Sequence, residues 1–280
     1  MISVLEHNFF SLLRSGVLGH RSVINPMSGW KWQRLCLVAQ NHNINHWIWQ
    51  GYQMMGDDYF LQLHQDIFRS IDKESDNRLN ENDLKINDQV VDYSEWIDKM
   101  TTPFLNKRYQ NIIGRTKEPT EKDTIELFKL IVQNVRCLLN TGIHLHLFIS
   151  LVRFLYQEEK NIDSDRLEAY LKETQLTDMA QYLGELILAV FQADADRVVF
   201  MKKKTIRHRR MIEEDLHELF IKKHNSWFFT QGNHVFVKAS DTHAMYQQFG
   251  KAMKYFFFAP WEATTNLTSA ITHSIAHIEE

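Results

Sequence analysis

The densest chemistry in this sequence is a run of positive charge. Residues 201–210 read MKKKTIRHRR, so Lys202, Lys203, Lys204, Arg207, Arg209 and Arg210 place six cations within nine residues, with His208 among them. Cations at this density attract phosphate groups or nucleic acid. The competing reading is a solvated run at a helix junction, partly neutralised by Glu213, Glu214 and Asp215. No Phe, Tyr or Trp is interleaved, and single-stranded nucleic acid needs such a stacking platform.

Other reactive residue types are present without a catalytic pattern. Asp194/Asp196 and Asp163/Asp165 have Asp-x-Asp spacing. Neither pair follows a strand or a Gly-Ser turn, and residues i and i+2 of a helix point to different faces. Caps and surface charge account for both. Asp57-Asp58 opens a helix, where acids favour the dipole. His42/His46 and His273/His277 have the i,i+4 spacing that can put two imidazoles on one face. Neither encloses the Glu of a zinc-protease motif, and no third ligand is identifiable. His144-x-His146 suits a strand, but its context is helical. Cys36 and Cys137 match no metal spacing or disulfide framework, and their apolar surroundings make them buried thiols. Ser, Cys and His carry no nucleophile elbow or cysteine-protease signature. No catalytic or metal-binding residue is assigned, and no cofactor is implied.

The elements that must position these residues are helices. Glycine (10) and proline (4) are scarce for 280 residues, whereas β-sandwiches and barrels need many turns. Hydrophobic residues make up 44% and charged residues 24%, as in globular proteins. Leu5, Phe9, Leu12 and Leu13 repeat at helical spacing, with Gly16 and Gly19 punctuating the end. Ser28 is placed to cap a second helix, and Trp30, Trp32, Trp47 and Trp49 crowd this block as packing residues. The polar stretch 72–89 reads as a linker, and 89–93 as a short strand. Pro103 and Pro260 are expected to interrupt helices. Thr120 with Asp123 resembles a capping box opening the stripe Ile125, Phe128, Ile131, Val132, Val135 and Leu138, which Gly142 ends. Residues 143–157 read as a central buried helix, and 227–239 as a hairpin. The expected fold is mainly α, a multi-helix bundle-like architecture with at most one or two short β-strand pairs. It forms a single domain over 1–280, made of a helical block 1–72, an irregular connection 73–119 and a helical block 120–280.

Net charge is −3, so no global field draws the chain to nucleic acid or an anionic membrane, and any such contact must come from a local patch. The longest apolar stretch, 143–156, is about 14 residues, short of the ~20 that span a bilayer. Glu6, His7 and Arg14 interrupt the pattern of a secretory leader. The expectation is a soluble cytoplasmic protein with no membrane partner.

FFSLLRSGVLGH (9–20), VVDYSEWIDKMTTPFLNKRYQNI (90–112), PTEKDTIELFKLIVQNVRCLLNTGIHLHLFISLVRFL (119–155), GNHVFVKASD (232–241) and YFFFAPWEA (255–263) follow one another in an order that resembles an uncharacterised bacterial family of nucleotidyltransferase-like proteins. The resemblance implies a small α/β core between the Arg69 region and Val91, with a Gly-Ser turn holding a triphosphate and carboxylates binding two metal ions. Only about 20 mostly polar residues lie there, without glycine, whereas one βαβ unit needs ~30. Where the family has an Arg and an Asp in its C-terminal half, this chain has His146 and Ser150. The resemblance therefore implies a degenerate, non-catalytic member, acting as a binding or interaction module. Its partner would be another protein, with weak polyanion contact at 202–210. Two alternatives remain open: an active nucleotidyltransferase on a nucleotide or sugar substrate, and a phosphate or nucleic-acid binder using 202–210.

Overall fold

Ser3 starts the first helix through a reciprocal pair of hydrogen bonds. Its hydroxyl accepts from the Glu6 N–H (3.2 Å), and the Glu6 carboxylate accepts from the Ser3 N–H (2.7 Å), satisfying two orphan donors. Helix α1 (Val4–Leu18) ends at Gly19, which is left-handed with φ 73°. The computed structural model describes residues 3–55, 57, 59–62, 66–67, 85–86, 89–90, 97–114, 119–157, 160–221 and 249–276. Over these the chain is mainly α, as its glycine-poor, stripe-rich sequence predicts.

Three helices follow α1 in the N-terminal block: α2 (Gly29–Asn41), α3 (Asn45–Met54) and the short α4 (Tyr59–Gln62). Ser28 stands at the start of α2 as expected, but its hydroxyl makes no capping hydrogen bond. Trp32, Leu35 and Ala39 are fully buried. Gly16 is not a terminator; it lies inside α1, where α3 crosses it at Gly51. β1 (Lys85–Ile86) and β2 (Gln89–Val90) form one antiparallel pair, with Lys85 opposite Val90.

Two prolines mark breaks in the helical pattern, as expected, and each also begins the helix that follows. Pro103 begins α5 (Pro103–Gly114), and Pro260 begins α11 (Pro260–Ala276). The first helical position needs no N–H and suits the fixed φ of proline, so both residues start helices. Helix α5 therefore stands within the stretch 73–119 expected to be an irregular connection, burying Leu105, Tyr109 and Ile112.

Between them lie α6 (Pro119–Asn140), α7 (Leu145–Leu155), α8 (Ser164–Glu173), α9 (Thr177–Phe191) and α10 (Arg209–Ile221). A helical segment, 249–255, precedes α11. The α6 stripe from Ile125 to Leu138 is buried, and Gly142 follows at φ 101°. Asp123 departs from the capping-box expectation. Its carboxylate instead accepts from Lys160 Nζ (3.0 Å) and the Asn161 N–H (3.1 Å), pinning the loop before α8. Burial alone would raise the Asp123 pKa, but these bonds hold it below the usual carboxylate range.

One connected cluster of buried apolar side chains runs from Leu5 to Ala259. The N-terminal block meets the C-terminal one directly. Phe9 and Phe10 both pack edge-on against Phe220, at 5.1 and 5.9 Å between ring centres. Arg14 donates to the Val190 carbonyl, and Glu6 Oε1 lies 2.8 Å from His217 Nδ1. Elsewhere Glu262 accepts from the Thr101 and Thr102 N–H groups and pairs with Arg136 at 3.2 Å, locking α6, α11 and the start of α5 together. Among the described residues, no helix is long and apolar enough to cross a membrane.

Candidate functional site

The fold divides the six cations of the basic run. Lys202 and Lys203 precede α10 in a loop on α8 and α9, where their N–H groups donate to Gln181 Oε1 (3.0 and 3.1 Å). Lys202 Nζ reaches Glu168 (2.7 Å), and Lys204 Nζ donates to the Ala195 and Val198 carbonyls (2.6 and 3.1 Å). Hydrogen bonds from Lys172 and Lys202 hold the Glu168 carboxyl down at about 2. Lys202 and Lys204 are thus engaged with the protein itself.

The three arginines stand apart, at the start of α10. Arg207, His208, Arg209, Arg210, Met211 and Glu214 line a cleft of about 550 Å³, together with Lys254 from segment 249–255. The cleft is shallow and opens widely to solvent. Three arginines thus face one lining acid, Glu214, while Lys254 is paired with Asp215 behind the cleft. Arg210 Nε approaches Glu214 at 3.1 Å across one turn, but the arginine side chain is 94% exposed, so water screens the pair. The first turn of α10 contains no acidic residue. A helix N-terminus carries partial positive charge, which favours acids and disfavours cations. The acid at this helix end comes instead from α9, where Glu185 accepts from the Arg207 and His208 N–H groups, with Arg209 and Arg210 next to it in the chain.

Buried groups hold this arrangement from behind. Asp215 accepts from Lys254 Nζ, from the Tyr182 hydroxyl, and from the Tyr255 hydroxyl at 2.7 Å. Its charge and three donors compensate one another out of water. Burial first, and the Asp215 charge second, push both phenols well above the ordinary tyrosine range, so they remain donors. Beside this cluster, Glu185 is fully buried in α9. Its Oε2 accepts from the Arg207 N–H (2.9 Å), the His208 N–H (2.9 Å) and His208 Nδ1 (3.0 Å). A carboxylate oxygen only accepts, so Nδ1 carries the hydrogen and Nε2 points to the opposite side of the ring. The imidazole is further fixed by Phe258 and Tyr182, with ring centres 5.0 and 6.0 Å away. Chemically, the cleft offers fixed positive charge, one oriented imidazole nitrogen and a short apolar wall at Met211.

The other sequence candidates stay apart from it. Asp194 Oδ1 accepts from the Asp196 N–H (3.0 Å), a local turn. Asp194 also borders a second cleft of about 440 Å³ with Tyr156 and Arg197, whose guanidinium lies 4.9 Å over the Tyr156 ring. Asp163 caps α8 by accepting from the Arg166 N–H, as expected. His42 and His46 diverge: His42 Nε2 lies 3.1 Å from the Leu219 carbonyl, and His46 packs on Trp47. His144 bonds Thr141 at the start of α7. The His277 end of its pair and the hairpin 227–239 lie outside the described residues. Cys36 and Cys137 are buried, and burial pushes both thiols up to about 12. Among the described residues, no three His, Cys, Asp or Glu side chains stand together as a metal site.

Sequence reading did not find Lys254, Glu185 or Tyr182. A usable signal existed for two of them. Glu185 is the only charge in YLGELILAVF, and Lys254 is the only charge in YFFFA and its preceding turn, AMK. An isolated charge in an apolar run must be paired when buried. No known protein family matches this chain, and no curated protein or solved structure does.

Proposed function

We propose that this protein is a binding module for phosphate-bearing ligands, which it takes in the cleft at the start of α10. The supporting observation is the convergence of Arg207, Arg209, Arg210 and Lys254 on one concavity at the positive end of a helix. Each cation beside a helix N-terminus forgoes roughly 0.3–1 kcal/mol that an acid there would gain. A bound oxyanion reverses that sign, because the arginine forks and the helix dipole then act on the same negative charge.

This assignment joins the resemblance drawn from the sequence. A nucleotidyltransferase-like bacterial protein without its transfer core would keep phosphate recognition and act by binding, with another protein as its functional partner. An extended nucleic-acid track is less favoured, because Lys202 and Lys204 turn to Glu168 and to backbone carbonyls instead of lengthening the patch. The test is calorimetric titration with pyrophosphate and with a nucleoside triphosphate, each with and without Mg²⁺. Saturable binding that needs no metal is expected, without turnover of the triphosphate. Turnover that requires Mg²⁺ would instead establish the active transferase.

A further inference from the structure

Exposed apolar side chains cluster on the segment that brings Lys254 to the cationic cleft and at the start of the next helix. Phe257 is 85% exposed, and Phe249, Met253, Phe256 and Trp261 are between 39% and 58% exposed. Four of them lie on segment 249–255 and the turn after it, and Trp261 lies in the first turn of α11. Phe249 and Met253, four residues apart in the helical segment, share one face, and the Phe256 and Phe257 rings meet edge-on at 5.7 Å in the turn. Tyr255 is buried against Asp215, and Phe258 packs on His208. Lys254, next to Met253 in the chain, lines the cleft while its Nζ donates to Asp215. The segment that carries the exposed apolar side chains therefore also supplies a wall of the phosphate-binding cleft. Phe104 meets Trp261 edge-on at 5.7 Å, and Arg108 lies 5.7 Å over the Phe104 ring.

Scattered single apolar residues on a surface are ordinary, but four exposed within nine residues are not. A cluster of this kind flanked by arginine and lysine has the two properties that hold a protein in the headgroup region of a bilayer: rings for the acyl boundary and cations for anionic lipid. A protein partner would need hydrogen bonds at roughly one per 100–200 Å² of interface. Here Phe249, Met253, Phe256 and Phe257 offer no side-chain donor at all, and only Trp261 carries one. A lipid surface needs none. We infer that this face seats the protein on an anionic phospholipid surface, with a headgroup phosphate in the cleft and Met253, Phe257 and Trp261 in the interface. This rests on the phosphate-binding assignment above and names the source of the phosphate. The contact is peripheral and requires no spanning helix.

Vesicle flotation tests it. Vesicles of phosphatidylcholine alone are compared with equimolar phosphatidylcholine and phosphatidylglycerol, for the wild type, for M253S/F257S and for R207E/R209E/R210E. Pyrophosphate titrations and thermal melts run in parallel. The wild type should float only with the anionic vesicles. M253S/F257S should lose at least tenfold in partitioning yet bind pyrophosphate as before, and the arginine variant should lose both. If the double variant misfolds, F257S alone serves, since that ring is the most exposed of the cluster. Wild type that binds pyrophosphate but ignores vesicles would overturn the lipid inference and leave the cleft assignment standing; failure of both ligands would remove both. Equal flotation of M253S/F257S and wild type would also overturn it. So would binding of an acidic amphipathic peptide, lost in M253S/F257S, by a protein that ignores the vesicles.

Discussion

Glu185 lies directly beneath His208, and one carboxylate oxygen serves both the backbone N–H and the ring Nδ1 of that residue. The same oxygen takes the Arg207 N–H, so one buried side chain fixes how the chain enters α10 and which way the imidazole faces. Replacing Glu185 with alanine leaves these donors without their acceptor and should destabilise the fold by about 3 kcal/mol. Glu185→Gln keeps an acceptor oxygen and should cost roughly 1–2 kcal/mol. Urea unfolding measures both. A loss below ~0.5 kcal/mol for the alanine variant would mean the pair does not hold the loop.

Helices α1 and α3 touch through glycine. A Cβ on Gly16 would stand 1.9 Å from the Trp47 carbonyl oxygen, and one on Gly51 would stand 2.0 Å from the Leu12 carbonyl oxygen. Both obstacles are backbone, which cannot move aside as a side chain would. Gly16→Ala and Gly51→Ala should each cost at or above the ~1–3 kcal/mol of ordinary overpacking. Gly114 is the internal control, since a Cβ there meets nothing within 4 Å. Gly114→Ala should be neutral or gain up to ~1 kcal/mol from reduced unfolded-state freedom.

Buried phenols and thiols set the alkaline limit of the fold. Tyr109, Tyr182 and Tyr255 are all raised above the ordinary tyrosine range, chiefly by burial, and Cys36 and Cys137 are raised to about 12. Groups raised in the folded state contribute stability that is complete below their unfolded values. It is lost as pH climbs toward the folded ones. The urea midpoint should hold steady through neutral pH and fall from about pH 9 upward, where free thiols and then phenols ionise in the unfolded chain. The ultraviolet band of these three tyrosinates should appear together with unfolding. Their ionisation at ordinary tyrosine pH in a folded protein would contradict the burial.

Much of the helical scaffold is legible in the sequence, because a period of 3.6 writes burial directly into residue order. Leu5, Phe9, Leu12 and Leu13, and the stripe from Ile125 to Leu138, are buried where their spacing places them, and Gly19 and Gly142 end their helices as glycines with positive φ do. Proline was the ambiguous signal. It breaks a helix interior but suits a first turn, and the local sequence at Pro103 and Pro260 does not say which applies. The cleft was half legible. The arginines form a local run, but the fold alone brings Lys254 beside them, and only tertiary packing reveals that Lys202 and Lys204 are occupied elsewhere.

The most direct measurement couples stability to binding at Arg209, an exposed cation at the first position of α10. Arg209→Glu should leave the stability of the free protein within roughly 0.5 kcal/mol, since the dipole gain at this exposed site is offset by repulsion from Glu185 and Glu213. It should also weaken pyrophosphate binding at least tenfold. Reversal of Lys203 in the neighbouring loop should leave binding unchanged. Pyrophosphate affinity that survives Arg209→Glu, or that falls equally with Lys203→Glu, would contradict an anion site built from the arginines at the start of α10.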